Sequence, residues 1–209
     1  MPATKKIRIL TVDDHPILRS GIAAELQAEE DIELVGEASN GIEAIASFRA
    51  LRPDVTLMDL QMPLMNGLDA IVAIRTEFPD ARFVVLTTYQ GDVQALRALK
   101  AGAMGYLLKN MLRAELVDTI RTVYAGKRRI PKEIAAELAE HVTDDTLSER
   151  EIEILRRVAM GSSNKIIASH VGVSEATVKS HLRNILSKLG ANDRTHAVTI
   201  AIKRGFIDG

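Results

Sequence analysis

Between Ile7 and Lys109 five short apolar runs, IRILTV, IELVGEA, DVTLMD, RFVVLTT and MGYLLK, alternate with longer segments whose apolar residues recur at helical spacing. Runs nearly continuous in Val, Leu and Ile belong to strands covered on both faces, and strands alternating with helices form a parallel sheet. Pro16 sits early in the first helical segment, and Asn40 precedes Gly41 to Leu51 as an N-cap. After Arg113 the alternation stops. The segments 113–125, 131–141, 148–160, 164–170, 174–189 and 193–204 all read as helices. The expected fold class is α/β plus all-α, in three stretches: 1–126, a helix and linker over 127–145, and 146–209, with the boundary near the polar HVTDDT at 141–146.

Of the 209 residues 46% are hydrophobic and 26% charged, which argues against a disordered chain, a collagen and a long coiled coil. No stretch reaches the ~18 uninterrupted apolar residues of a membrane span. The beginning MPATKKIRILTVDD meets two acids before a signal-peptide core could form, so a cytoplasmic location with no membrane partner is expected. Without cysteine there is no disulfide framework, thiolate metal site or cysteine nucleophile. The net charge of −1 is unevenly spread: residues 1–126 hold 13 Lys+Arg against 17 Asp+Glu, 127–143 hold 4 against 3, and 144–209 hold 10 against 8. So weakly basic a tail does not by itself imply nucleic acid; the placement of its cations has to carry that inference.

Strand one closes on Asp13 and Asp14, strand three on Asp59, strand four on Thr87 and strand five on Lys109. Ligands of an open α/β sheet bind beyond the carboxyl ends of its strands, so three carboxylates, a hydroxyl and an ammonium would share one pocket. Like charges held that close destabilise one another until a cation or a shared proton relieves them. Magnesium prefers oxygen ligands and keeps several waters, which suits one or two carboxylates plus phosphoryl oxygens. Phosphoryl transfer needs that neutralisation. A lone Asp after a strand is more often a turn former, but five coordinated positions are not accounted for that way.

Residues 7–125 resemble the receiver domain of bacterial two-component response regulators, through DDH at 13–15, DLQMP at 59–63, Gly67, LTT at 86–88 and GYLLK at 105–109. The resemblance implies a flavodoxin-like five-stranded parallel sheet of strand order 2-1-3-4-5. It also implies Asp59 as phosphoryl acceptor, with Mg2+ held by Asp13 or Asp14 together with Asp59 and the backbone carbonyl of Gln61. Lys109 would pair with the phosphoryl group and Thr87 would donate its hydroxyl to a phosphoryl oxygen. Tyr106 would be an aromatic switch whose ring turns inward when Thr87 moves; the residue alone fits an ordinary half-buried tyrosine as well. Many receivers have proline after the lysine, following a cis peptide, whereas Asn110 follows here, where a cis bond costs about 2.5–4 kcal/mol.

The tail carries a second pattern. Ser148 and Glu151 have capping-box spacing, GSSN at 161–164 ends the first helix, and VGVS at 171–174 forms a turn before a longer helix. A short helix, a turn containing Gly172 and a longer helix are the parts of a helix-turn-helix, whose second helix enters the major groove. On that helix Val178, Leu182, Ile185, Leu186 and Leu189 form an apolar stripe. The opposite face shows Thr177, Lys179, Ser180, Arg183, Asn184 and Ser187, which suit base edges and phosphates, though a solvated face would look similar. SEREIEILRRVAMG, NKIIASHVGVSEATVKSHLRNILSKL and the following Asn192 to Ala197 resemble the LuxR-type output domain of the NarL/FixJ subfamily. That resemblance places Lys179, Ser180 and Arg183 at groove-reading positions and Thr177 and Lys165 at phosphate contacts. It makes 193–204 a dimerisation helix; the alternative is the fourth helix of a small bundle.

A phosphorylation-controlled transcription factor is therefore expected, with a sensor histidine kinase as donor and double-stranded promoter DNA as target. RNA polymerase is a further expected contact, and a homodimer is expected on phosphorylation or DNA binding. Aspartyl-phosphate phosphohydrolases also use a strand-terminal Asp, but their usual motif is DxDxT and this chain has DLQMP, so no enzyme is expected. A ligand-sensing LuxR-type regulator would need an apolar pocket where this chain gathers acids.

Overall fold

The computed structural model describes residues 5–88, 92–132, 134–136 and 147–207. The chain divides into two compact units, Met1–Thr88 with Ala95–Ala135, and Tyr89–Gln94 with Ala136–Gly209.

The α/β part runs β1 (Ile7–Val12), α1 (Pro16–Gln27), β2 (Ile32–Ala38), α2 (Gly41–Leu51), β3 (Val55–Asp59), α3 (Gly67–Glu77), β4 (Phe83–Thr87), α4 (Asp92–Lys100), β5 (Gly105–Leu108) and α5 (Leu112–Tyr124). All pairings are parallel, in the order β2-β1-β3-β4-β5. The chain therefore reverses its direction of travel across the sheet between β1 and β3, the place where such sheets open a crevice at their carboxyl ends. β3, β4 and β5 are buried along their whole length, as their nearly continuous apolar runs suggest. Ile9, Leu57, Val84, Leu86 and Leu107 pack with Ile22 and Leu26 of α1 and Leu116, Ile120 and Val123 of α5.

The start signals act as expected. Pro16 opens α1, and the Asn40 side chain accepts the Glu43 N–H at 3.0 Å. β5 ends at Leu108, one residue earlier than its apolar run suggested, because Lys109 begins a short 3-10 turn over Lys109–Met111. The peptide between Lys109 and Asn110 is trans; there is no cis bond among the described residues. Past α5 the chain returns along β5: the Tyr106 N–H donates to the Arg129 carbonyl at 3.0 Å, and the Arg129 N–H donates to Met104 at 2.9 Å. This bridge covers the outer edge of β5, which would otherwise offer unpaired backbone groups.

Of the helix expected over 131–141, residues 132 and 134–136 are helical; residues 137–141 and the linker at 141–146 lie outside the described residues. Among the described residues the chain goes on to α6 (Glu149–Ala159), α7 (Asn164–Val171), α8 (Glu175–Leu189) and α9 (Arg194–Arg204). Their core joins Ile152, Leu155 and Val158 to Ile167, Val171, Val178, Ile185, Leu189, Ala197 and Ala201. α7 stops at Gly172, whose backbone has φ of 67°, a left-handed conformation in which a side chain is strained. No helix among the described residues is long and apolar enough to cross a membrane.

Candidate functional site

Val12 of β1 pairs with Met58 of β3, so the residues that follow, Asp13 and Asp59, leave adjacent strands side by side at the switch point. Both are buried, at 0% and 3% exposure, while Asp14 keeps part of its carboxylate in solvent. The turn begun by Lys109 swings its side chain across this end of the sheet. Its ammonium lies 2.7 Å from Asp59 Oδ2 and 2.8 Å from Asp13 Oδ2. The other Asp59 oxygen accepts the Gln61 N–H at 3.2 Å.

One ammonium is shared by two buried carboxylates, with Asp14 close by, and the effect shows at Asp59. Burial pushes the Asp59 carboxyl above the ordinary aspartate value, with the neighbouring Asp13 charge adding to it and Lys109 opposing. Burial would lower Lys109, but its hydrogen bonds to Asp13 and Asp59 hold it above the ordinary lysine value, so it stays charged. The pocket thus has a surplus of negative charge in oxygen donors. Ligand atoms of Asp13, Asp14, His15 and Asp59 all lie within 4.8 Å of one another. The three carboxylates of that set fit a hard divalent cation such as magnesium, which takes oxygen ligands.

Two residues near the acid pair, neither of them assigned a function by its sequence pattern, complete the arrangement. His15 Nδ1 lies 2.8 Å from Asp14 Oδ1 and 3.2 Å from Asp13 Oδ1, and the His15 backbone N–H donates to Asp13 Oδ1 at 2.9 Å. Arg19, one turn into α1, donates from Nη1 to the Asp13 carbonyl at 2.5 Å and from Nε to Glu37 of β2 at 3.0 Å. It thereby holds the turn carrying the carboxylates. Proximity to the acid pair was the available signal for His15; for Arg19 there was none without the fold.

Thr87 ends β4 and is buried, at 2% exposure. Val85 pairs with Tyr106 and Thr87 with Leu108, so Thr87 and Tyr106 occupy the same face of the sheet, two positions apart. Tyr106 is fully buried, at 0% exposure, and not half-buried.

In the helical unit, Ser148 and Glu151 form the capping box their spacing suggested, and Ser163, Ser174 and Asp193 cap the next three helices. The apolar stripe of α8 divides in two: Val178, Ile185 and Leu189 are buried, while Leu182 and Leu186 are half-buried against the same core. Lys179, Ser180, Arg183, Asn184 and Ser187 are exposed, as is Lys165 on α7. Thr177 is half-buried, its hydroxyl 2.8 Å from Ser174 Oγ, and Lys179 pairs with Glu175 at 3.1 Å. On α9, Ala197 and Ala201 are buried, and Val198 and Ile200 pack on the unit's own core. The apolar side of α9 therefore serves the bundle.

A carboxylate pocket at the switch point of a parallel α/β sheet, followed by a helix-turn-helix bundle, defines a DNA-binding response regulator. The chain belongs to that family: the response regulator receiver domain matches residues 9–121, and the luxR family of bacterial regulatory proteins matches 145–201. It is 38% identical to the transcriptional regulatory protein LiaR of Bacillus subtilis (strain 168), over 97% of this chain and 100% of LiaR. Among solved structures it resembles the response regulator ChrA of a heme-sensing two-component system, at 38% identity, 97% and 99% coverage of the two chains and a TM-score of 0.57. It also resembles the response regulator RcsB in a complex with DNA, at 26% identity, 95% and 99% coverage and a TM-score of 0.70.

Proposed function

We propose that this chain is a transcription regulator switched by phosphorylation of Asp59. The observation that carries the reading is the position of Asp59, buried beside Asp13 and in contact with the only ammonium that reaches the pocket among the described residues. An Asp59 oxygen attacks the phosphorus of a phosphohistidine on a sensor histidine kinase. The N–P bond breaks, the electron pair returns to the imidazole, and an acyl phosphate forms on Asp59. Asp13 and Asp14, with Asp59 and the Gln61 carbonyl, would hold Mg2+, whose charge would neutralise the transferring oxygens. Lys109 leaves the Asp59 carboxylate for a phosphoryl oxygen, and Thr87 donates its hydroxyl to another. Movement of Thr87 reaches Tyr106 on the same sheet face. The Tyr106 N–H is bonded to Arg129, in the segment that leaves the α/β unit.

The output is binding of double-stranded promoter DNA by α8, with Lys179, Ser180 and Arg183 in the major groove and Thr177 and Lys165 at phosphates. Phosphorylation favours a homodimer on DNA, acting in the cytoplasm with RNA polymerase as a further contact. The receiver spans 1–126, the helix and linker 127–145, and the DNA-binding domain 146–209. The chain is a regulator and does not turn over small phosphoesters: its cluster serves one transfer to itself.

The test is to treat the chain with a small phosphodonor and magnesium and weigh it intact. Wild type gains one phosphoryl group, labile to base and to hydroxylamine, and Asp59→Asn gains none. Stoichiometric labelling of Asp59→Asn would overturn the assignment.

A further inference from the structure

Glu151 does more than close its capping box. Its side chain is 5% exposed, and Oε2 accepts the Ser148 N–H at 2.8 Å, the Ser148 hydroxyl at 3.0 Å and the Lys188 ammonium at 2.9 Å. Lys188 stands in the last turn of α8, 37 residues further along the chain. Its neighbour Arg150 pairs with Glu153 and also donates to the carbonyl of Val171, the last residue of α7. The first turn of α6 thus grips the end of α7, immediately before the helix-turn-helix bend, and the far end of α8.

Lys188 is a cation on the helix read here as the DNA-reading one, yet it points elsewhere. At about 100° per residue, Lys188 lies about 180° round the helix from Lys179 and about 140° from Arg183. A cation turned into the protein and held by a buried carboxylate cannot serve as a phosphate contact in that geometry.

We infer that the Glu151–Lys188 pair positions the recognition helix, fixing the roll at which α8 presents Lys179, Ser180 and Arg183 to a base sequence. The inference rests on the reading of α8 as the DNA-reading helix. Glu151 and Lys188 are positioning residues that touch no DNA. Losing either lets α8 roll, which costs contacts to base edges while leaving attraction to the phosphate backbone in place. The buried pair therefore supports sequence discrimination more than general affinity.

The experiment uses the full chain and two probes: a duplex selected on wild type from a randomised pool, and poly(dI-dC). Variants are Glu151→Gln, whose amide oxygen can still accept from Ser148, Lys188→Met and Lys188→Arg, each shown folded by circular dichroism at the binding temperature. Glu151→Gln and Lys188→Met are expected to bind the selected duplex about tenfold more weakly, the scale of one lost base contact. Binding to poly(dI-dC) and the dependence of affinity on salt stay at wild-type values, and Lys188→Arg recovers most of the loss. Equal loss on both probes, with the salt slope falling by about one, would make Lys188 a phosphate contact and overturn the inference. Unaltered discrimination in folded Glu151→Gln would overturn it too, and so would a Lys188→Met that fails to fold beside such a Glu151→Gln. If wild type selects no duplex, the DNA reading itself fails, and the inference falls with it.

Discussion

Gly67 packs so closely on Asp59 that a β-carbon there would sit 1.9 Å from the Asp59 carbonyl oxygen. The Gly67 N–H also donates to the Leu60 carbonyl at 3.0 Å, so the start of α3 is built onto the backbone of the proposed acceptor. Alanine at 67 has to displace the end of β3. Gly67→Ala is expected to destabilise the protein by about 1–3 kcal/mol, the range for overpacking a tight contact, and to slow labelling by phosphodonor. Wild-type melting and labelling rates in that variant would contradict the geometry.

The burial of Asp59, beside the charge of Asp13, has a pH signature. A folded-state carboxyl pKa raised above the unfolded value means that the folded protein holds the proton more tightly, so stability falls as pH rises from the ordinary aspartate range through the raised value of Asp59. Metal-free Asp59→Asn should therefore melt higher than wild type near neutral pH. The gap should close as pH is lowered below the ordinary carboxylate range, and magnesium should narrow it by stabilising wild type. Thermal melts with and without magnesium across that range decide the matter; an Asp59→Asn protein melting lower than wild type at neutral pH would contradict it.

Much of this arrangement was legible in the chain because it depends on local pattern. The run ending at Asp59, the Asn40 cap and the capping box at Ser148 are local, and the alternation of strands and helices brings Asp13, Asp59 and Lys109 to one edge by topology. The contacts that hold those residues in place are long-range. Arg19 reaches Glu37 across 18 residues and Lys188 reaches Glu151 across 37, with no periodicity to announce either. The need for glycine at 67 comes from close approach of two backbones, which no hydrophobic pattern encodes. His15 was visible as a neighbour of the acid pair, but its imidazole could equally have turned away to solvent.

The polar face of α8 separates two kinds of contact. Lys179 and Arg183 are one helical turn apart and both exposed. Arg183→Ala is expected to cost about 1–3 kcal/mol on a selected duplex and to relax its sequence preference. Lys179→Ala is expected to weaken the same duplex and, because a groove-reading lysine is also a point charge beside the phosphates, to weaken other sequences too and reduce the salt slope by up to about one. Titrations at several salt concentrations measure both, and wild-type binding by both variants would remove α8 from the interface.

Asp59 is buried in the α/β unit and α8 belongs to the other unit, so under the proposed function a phosphoryl group on Asp59 acts by favouring one of two states of the whole chain. The most direct measurement is the affinity of the full chain for a selected duplex, with magnesium, before and after treatment with phosphodonor. Wild type should tighten by about 5- to 150-fold, the usual range of allosteric coupling, while Asp59→Asn does not respond and Thr87→Ala responds weakly. Equal affinity of modified and unmodified wild type, or tightening of Asp59→Asn to the same degree, would contradict the account.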